Sequence, residues 1–317
     1  MSRLGVVVNP VAGHGRGIPR GRKVLADLAR SGHEVEDLSG ADAAAARANA
    51  RAALDRLDAL VVVGGDGMVH LGVNVVAGSD VPLAVVAVGS GNDFARTLHL
   101  PTHDVEAAIA LIERGLRRGP RLIDAIATRL HDGVGLAAET NDDGTHVEWT
   151  ACVLSAGFDA AVNERANSYT WPRGGGRYVR GVLEELRSFV PYGYRLTIDG
   201  AVRELPGTLV ALANASSIGG GMRIAPDALV DDGFIDVVIA GAVSRMELLR
   251  LFPRVYSGRH VHDRAVDVVR ARDVLIEPLE GHPQPPHVFA DGEPLGKLPM
   301  HATIHPGALR LLAEPAT

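Results

Sequence analysis

Short, unbroken apolar runs alternate with longer amphipathic stretches through the first 127 residues, and the pattern then changes. "LGVVVN" (4–9), "ALVVVG" (59–64) and "LAVVAVG" (83–89) are continuous and β-branched, as strands buried on both faces should be. Helix-like stretches lie between and after them at Arg20–Ser31, Ala41–Leu57 and Val105–Arg118, and the tract "GADAAAARANARAA" reads as one Ala-rich helix. Strand, glycine loop and helix in repeated order predict a doubly wound α/β domain with a parallel sheet over 1–127. From 128 to 317 the segments shorten and alternate, as in "YRLTIDG", "FIDVVIAG" and "HATIHPGALRLLA", with Gly, Pro, Asn and Asp between them. That series predicts an antiparallel β-sandwich, interrupted by helical segments at Asn163–Val190 and Ser244–Ser257. The C-terminal tail is a candidate to pack back on the first domain.

Composition narrows the classes. A chain of 317 residues with 46% hydrophobic and 22% charged positions is globular and large enough for two cores. Its net charge of −6 favours no nucleic acid, so an anionic partner must be met by a local basic patch. A single cysteine, Cys152, precludes an internal disulfide and a cysteine metal cluster, and suits a reducing cytoplasm. No apolar run approaches the roughly 18 residues of a spanning helix, so the expectation is a cytoplasmic protein, peripheral at the inner membrane face. His260 and His262 alternate on a predicted strand, without a third ligand at matching spacing.

Three glycine loops follow the three strands of the first domain: Asn9-Pro10-Val11-Ala12-Gly13, Gly64-Gly65-Asp66-Gly67 and Gly89-Ser90-Gly91-Asn92-Asp93. Ligands of open α/β sheets sit at the carboxyl ends of the strands, and glycine lets backbone N–H groups approach phosphate closely. Glycine is also common in any turn between strand and helix. Neither a P-loop nor a dinucleotide fingerprint is present. Asp66 and Asp93 at these mouths, with Asp124 after "RLI", would repel an anion unless a hard divalent cation lay between. Asp93 equally suits the cap of a helix beginning at Phe94.

In this order, "NPVAG", "GGDG", "VGSGNDFAR", "NASSIGGGMRIAPDALVDDGFIDV" and "FADGE" resemble the diacylglycerol kinase catalytic-domain superfamily, specifically its soluble bacterial lipid kinases, relatives of the sphingosine kinases. The resemblance runs from Asn9 to about Leu312. It implies an ATP-dependent lipid kinase, diacylglycerol being the leading acceptor. Asn9 to Gly13, Ser39, Gly65 to Gly67 and Ser90 to Asn92 would hold ATP. Asp66, Asp93 and Asp124 would form an aspartate, water and Mg²⁺ network. Asp291 would be the general base, with Glu293 its neighbouring acid, at a cleft between the domains. A structural Mg²⁺ would bind the Asp232 carboxylate and main-chain oxygens of Leu229 and Phe234. By their residues alone, "DGE" and "DDG" read equally as tight turns.

The chain departs from that pattern after GGDG, where Met68, Val69, His70 and Leu71 replace the usual Thr-x-Asn-Glu, and at Ala12, where Ser is usual. "NERANSYTWPRGGGRYVRGVLEELRSF" sets Arg165, Arg173, Arg177, Arg180 and Arg187 among Tyr169, Trp171 and Tyr178. Rings with arginines suit a lipid interface, and equally a solvated helix with a few buried rings. A membrane lipid and a second copy of the chain are the expected partners. A kinase for a soluble alcohol, like the NAD kinases, and a silent lipid-binding protein are the alternatives.

Overall fold

The computed structural model describes residues 1–10, 17–130, 147–169 and 175–315. The chain forms two units, one of residues 1–125 with 306–317, the other of 126–305.

In the first unit, β1 (Arg3–Val8), α1 (Gly17–Arg30), β2 (Glu34–Asp37), α2 (Ala43–Ala53), β3 (Ala59–Gly64), α3 (Asp66–Val76), β4 (Leu83–Ala87), α4 (Asp93–Thr97) and α5 (Val105–Arg118) follow in order, with β5 (Arg121–Leu130) leading out. The sheet order is β2-β1-β3-β4, all parallel. Every residue of β3 and β4 is buried, which is why their sequences are continuous Val, Leu and Ala rather than alternating. Asp104 caps α5 by accepting from the Ala107 amide at 2.9 Å, and Gly119 follows the helix. One core joins Val24 and Leu28 of α1, Val61 and Val63 of β3, Val86 of β4, and Ile109 and Ile112 of α5. Leu312, from the C-terminal residues, belongs to that core, and Leu311 pairs in parallel with Leu83.

The second unit holds β6 (Val147–Thr150), β7 (Val153–Gly157), α6 (Phe158–Ser168), α7 (Gly175–Ser188), β8 (Tyr192–Ile198), β9 (Ala201–Ala213), β10 (Ile235–Gly241), α8 (Arg245–Val255), β11 (Val266–Ala271), β12 (Asp273–Pro278), β13 (Val288–Ala290), β14 (Glu293–Gly296) and most of β15 (Met300–Leu311). Its strands run β14-β13-β7-β9-β8-β12-β15, with β10 between β9 and β11, and the described pairs are antiparallel. The sandwich core takes every second residue, as in Ile235, Val237 and Ile239, or Met300, Ala302 and Ile304. A smaller core under the helices gathers Phe158, Val162, Val182 and Phe189, with Leu248 and Phe252 of α8 against it. Asn163–Val190, expected as one helical segment, contains the end of α6 and all of α7. Residues 259–262, expected as a strand, form a 3-10 turn in which buried His260 meets the Ile224 carbonyl at 3.0 Å. No helix among the described residues is long and apolar enough to cross a membrane.

Candidate active site

Two of the three glycine loops interlock at the ends of β3 and β4. Gly65 and Gly89 pack backbone on backbone: a Cβ on Gly89 would lie 2.4 Å from the Gly65 Cα. Asn92 sits in the left-handed region at φ 57° and fastens the loop. Its side chain accepts from the Gly89 amide at 3.0 Å and donates to the Gly89 carbonyl at 2.8 Å, while its own amide donates to Asp66 Oδ2 at 2.8 Å. Gly67 and Ser90 stay exposed beside this knot, Gly67 in the first turn of the 11-residue α3, where unpaired amides favour an anion. Asn9 is half-buried and donates from its amide to the Val63 carbonyl, and Pro10 is exposed. The Ser39 hydroxyl accepts from the Val8 amide at 3.0 Å, so it closes the mouth of β1. Val11, Ala12 and Gly13 lie outside the described residues. Met68 and Leu71 turn inward and are buried, and Met68 packs where a Gly64 side chain would sit. The departures at Met68, His70 and Leu71 thus fill core rather than loop.

Asp66 and Asp93 converge over Gly91, whose Cβ would lie 2.5 Å from Asp66 Oδ2 and 3.6 Å from Asp93 Oδ2. Burial first, and then the Asp93 charge, push the Asp66 carboxyl up to about 6. Asp66 Oδ1 is buried without a hydrogen-bond donor. Two carboxylates and an orphaned oxygen fit a divalent cation, which would relieve both the repulsion and the missing bond. Asp93 is the first residue of α4 rather than its cap. Asp124 is buried, and its Oδ1 accepts from the Gly307 amide at 2.8 Å. Among the described residues no three His, Cys, Asp or Glu side chains form a ligand group. Of the three aspartates expected in a network with water and Mg²⁺, Asp66 and Asp93 are the two that converge over Gly91.

In the second unit "FADGE" is a hairpin turn, with an acid fixed inside it. Ala290 pairs with Glu293 across a two-residue turn, and Asp291 and Gly292 both have positive φ, at 50° and 90°. The left-handed Asp291 aims its carboxylate back at the segment that joins β6 to β7. Oδ1 accepts from the Cys152 and Val153 amides at 2.9 and 3.1 Å, and Oδ2 from Ala151 at 3.0 Å. Glu293 is exposed at the start of β14.

Asp159 escapes a reading of the sequence. It stands in the first turn of α6, directly after β7, much as Asp66 follows β3, and that parallel was its one signal. Both carboxylate oxygens are shielded from solvent and meet no donor in hydrogen-bonding geometry, and burial pushes the group up to about 6. The folded state thus holds this proton more tightly than the unfolded chain. Its stabilising contribution is complete below the ordinary carboxylate range and is lost as pH rises through about 6. At neutral pH and above, the ionised group costs up to about 3 kcal/mol. Asp159→Asn is therefore expected to raise the unfolding temperature near pH 7.5, with a gain that vanishes near pH 4. An offset independent of pH would contradict this account.

The residues at Asp232 do not fit the structural Mg²⁺. The Asp232 carboxylate is already engaged: Oδ1 accepts from the Phe234 amide at 3.0 Å, and Oδ2 is paired with the Arg270 guanidinium. Arg270 is held there, 4.3 Å above the Phe234 ring, with Arg272 at 4.7 Å. It also faces Asp236, its cross-strand partner, and draws down a carboxyl that burial raises. A divalent ion at Asp232 would have to displace this internal cation. Leu229 is exposed beside it. Chelation by EDTA is accordingly expected to leave unfolding of the second unit, followed by Trp149 and Trp171 fluorescence, unchanged. Arg270→Gln should lose about 1 kcal/mol and regain part of it with millimolar Mg²⁺. A wild-type midpoint that falls on chelation would restore the metal.

Two of the arginines expected at a lipid surface, Arg165 and Arg180, are paired with glutamates of α7. Arg165 pairs with Glu185 and, at 3.6 Å, with Glu184; Arg180 pairs with Glu184 at 2.8 Å and covers the Tyr169 ring at 4.1 Å. Arg187 is exposed. Trp171 and Arg173 lie outside the described residues, as do the side chains of Arg177 and Tyr178.

Residues 3–124 match the diacylglycerol kinase catalytic domain, and residues 152–313 match the YegS C-terminal NAD kinase beta sandwich-like domain. A diacylglycerol kinase of Mycobacterium tuberculosis (strain H37Rv) is 35% identical over 316 residues, covering 98% of this chain and 95% of its own. One from Bacillus subtilis (strain 168) is 27% identical over 302 residues, covering 94% and 92%. A solved structure from Bacillus anthracis str. Sterne superposes with a TM-score of 0.74 at 21% identity, covering 99% of this chain and 97% of that one; at this identity the likeness is one of fold.

Proposed function

The chain belongs to the diacylglycerol kinase family and is a lipid kinase, and from that premise we propose that it transfers the γ-phosphoryl group of ATP to the free hydroxyl of diacylglycerol. The observation that carries the chemistry is the fixation of Asp291 by three amides inside a left-handed turn. A base must hold one orientation through the reaction, and this one is set by backbone rather than by flexible side chains. As the acceptor oxygen bonds to the γ-phosphorus, its proton passes to Asp291, and the bond from phosphorus to the β,γ-bridging oxygen breaks to release ADP.

The loops at Gly65–Gly67 and Gly89–Asn92 support the reading that phosphate oxygens meet backbone N–H groups there, with Asn9, Pro10 and Ser39 nearer the nucleoside. Asp66 and Asp93 would hold Mg²⁺, which when bound offsets charge on the phosphates. The Asp66 carboxylate itself orders the loop through the Asn92 amide. Glu293, exposed one residue beyond the turn, is placed to influence an approaching headgroup rather than to fix the base. Incubating the chain with labelled ATP and a lipid panel tests the proposal. Phosphatidic acid from diacylglycerol is the expected product, and label appearing in another lipid alone would overturn the acceptor.

A further inference from the structure

α8 carries apolar side chains on two faces, and only one of them is needed for folding. Leu251 is buried, and Leu248 and Phe252 pack on the small helical core. On the outer face Met246 is 60% exposed, Leu249 42% and Tyr256 51%, and Pro253 is exposed between them. Steps of three, four and three residues put all four on one stripe. Single exposed apolar residues are ordinary, but a stripe of four along one helix is not.

The charge around it is mostly positive. From Ser244 to Arg264 the chain has Arg245, Arg250, Arg254, Arg259 and Arg264 against Glu247 and Asp263, in a protein of net charge −6. Arg254 is spent on Asp263 at 3.0 Å, and Arg245 donates to the Phe189 carbonyl at 3.3 Å. Arg250 on α8 and Arg259 in the 3-10 turn that follows it are exposed. The Arg245 bond also sets the start of α8 next to the end of α7, a helix that carries Val179 and Leu183; these, and Val190 just beyond it, are each more than half exposed. Exposed apolar side chains are therefore present on both helices.

We infer that α8 is the element by which this chain docks on an anionic bilayer. Met246, Leu249 and Pro253 enter the headgroup boundary, Tyr256 lies at its polar edge, and Arg250 and Arg259 meet lipid phosphates. An apolar stripe rimmed by cations is what an interfacial helix requires, and arginine adds attraction that salt screens. The inference rests on the reading that the acceptor is a membrane lipid, and it places the contact on a different helix from the segment 165–187, where Arg165 and Arg180 are paired with glutamates.

The test is co-sedimentation of the full chain with vesicles of phosphatidylcholine containing about one-third phosphatidylglycerol, alongside vesicles of phosphatidylcholine alone. The wild type is expected to prefer the anionic vesicles and to release with salt. Met246→Ser with Leu249→Ser should lower partitioning about tenfold or more. Arg250→Glu with Arg259→Glu should do so on anionic vesicles only. All four positions are exposed, so unfolding temperature and turnover of a dispersed short-chain diacylglycerol should stay at wild-type values in both variants. Wild-type partitioning by both variants overturns the inference, as does loss of binding on Val179→Ser with Leu183→Ser alone. So does a dimer, measured by light scattering, that the Met246→Ser, Leu249→Ser variant abolishes, because the stripe would then be covered by a second copy. If the wild type binds vesicles yet phosphorylates no soluble diacylglycerol, the acceptor assignment fails and the docking surface stands.

Discussion

Asp291→Asn is expected to slow phosphoryl transfer to diacylglycerol by about 10²- to 10⁴-fold, the usual contribution of a positioned general base. Asparagine tolerates the left-handed backbone at φ 50° nearly as well as aspartate, so the hairpin turn should survive. The carboxylate interactions cannot all survive. The three amides of Ala151, Cys152 and Val153 donate to two oxygens, and the variant offers one oxygen and an NH₂ group that opposes a donor. The cost is about 1–3 kcal/mol of stability, far from enough to unfold the chain. ATP affinity should remain within about twofold, since no described nucleotide-binding residue is altered. Turnover near the wild-type rate would remove Asp291 as the base. A parallel collapse of ATP affinity would point to misfolding instead.

Gly89→Ala should be among the more damaging single methyl groups in the first unit. Its Cβ would sit 2.4 Å from the Gly65 Cα, 2.9 Å from the Gly65 nitrogen and 3.0 Å from Asn92 Oδ1. Two of these are backbone atoms, so no rotamer change relieves them. Either the two loops part, breaking the bonds of Asn92 to Gly89, or strain spreads into β3 and β4, which are buried throughout. An overpacked site of this kind costs about 3 kcal/mol, roughly 6–12 °C in unfolding temperature for a unit of this size. ATP-dependent protection against thermal unfolding should vanish with it. A variant that melts and binds ATP like the wild type would show that the loops are not packed as described.

The sequence carries local structure well where one face decides the pattern. Val105–Arg118 is bounded by Asp104 and Gly119 and lies where its apolar spacing puts it, and the Val-rich runs at 59–64 and 83–87 are the buried strands they resemble. α3 is harder to read because nine of its eleven residues, Met68 to Val76, are buried, which erases the amphipathic period. β2, the charged edge strand "EVED", likewise lacks an apolar signal. The motifs located Asp66, Asp93 and Asp291 but not their partners. The amides that hold Asp291 come from residues about 140 positions earlier, and the cation on Asp232 comes from β11, outside the "DDG" motif. Asp159 belongs to no motif, and only burial distinguishes it from a surface carboxylate at a helix start. Pattern reveals periods and turns; which charges meet is fixed by strand register.

The last residues of the first unit have a consequence for synthesis on the ribosome. Residues 306–317 supply Leu312 to its core, Leu311 beside β4 and the Gly307 amide to Asp124. The first unit begins to emerge first but lacks these contacts until residues 306–312 have been made, after the whole of the second unit. Residues 126–305 are contiguous and can fold as soon as they clear the exit tunnel. A chain ending at residue 305 and released from the ribosome should therefore resist protease in its later half and remain cleavable in its earlier one, an order of maturation opposite to the order of synthesis.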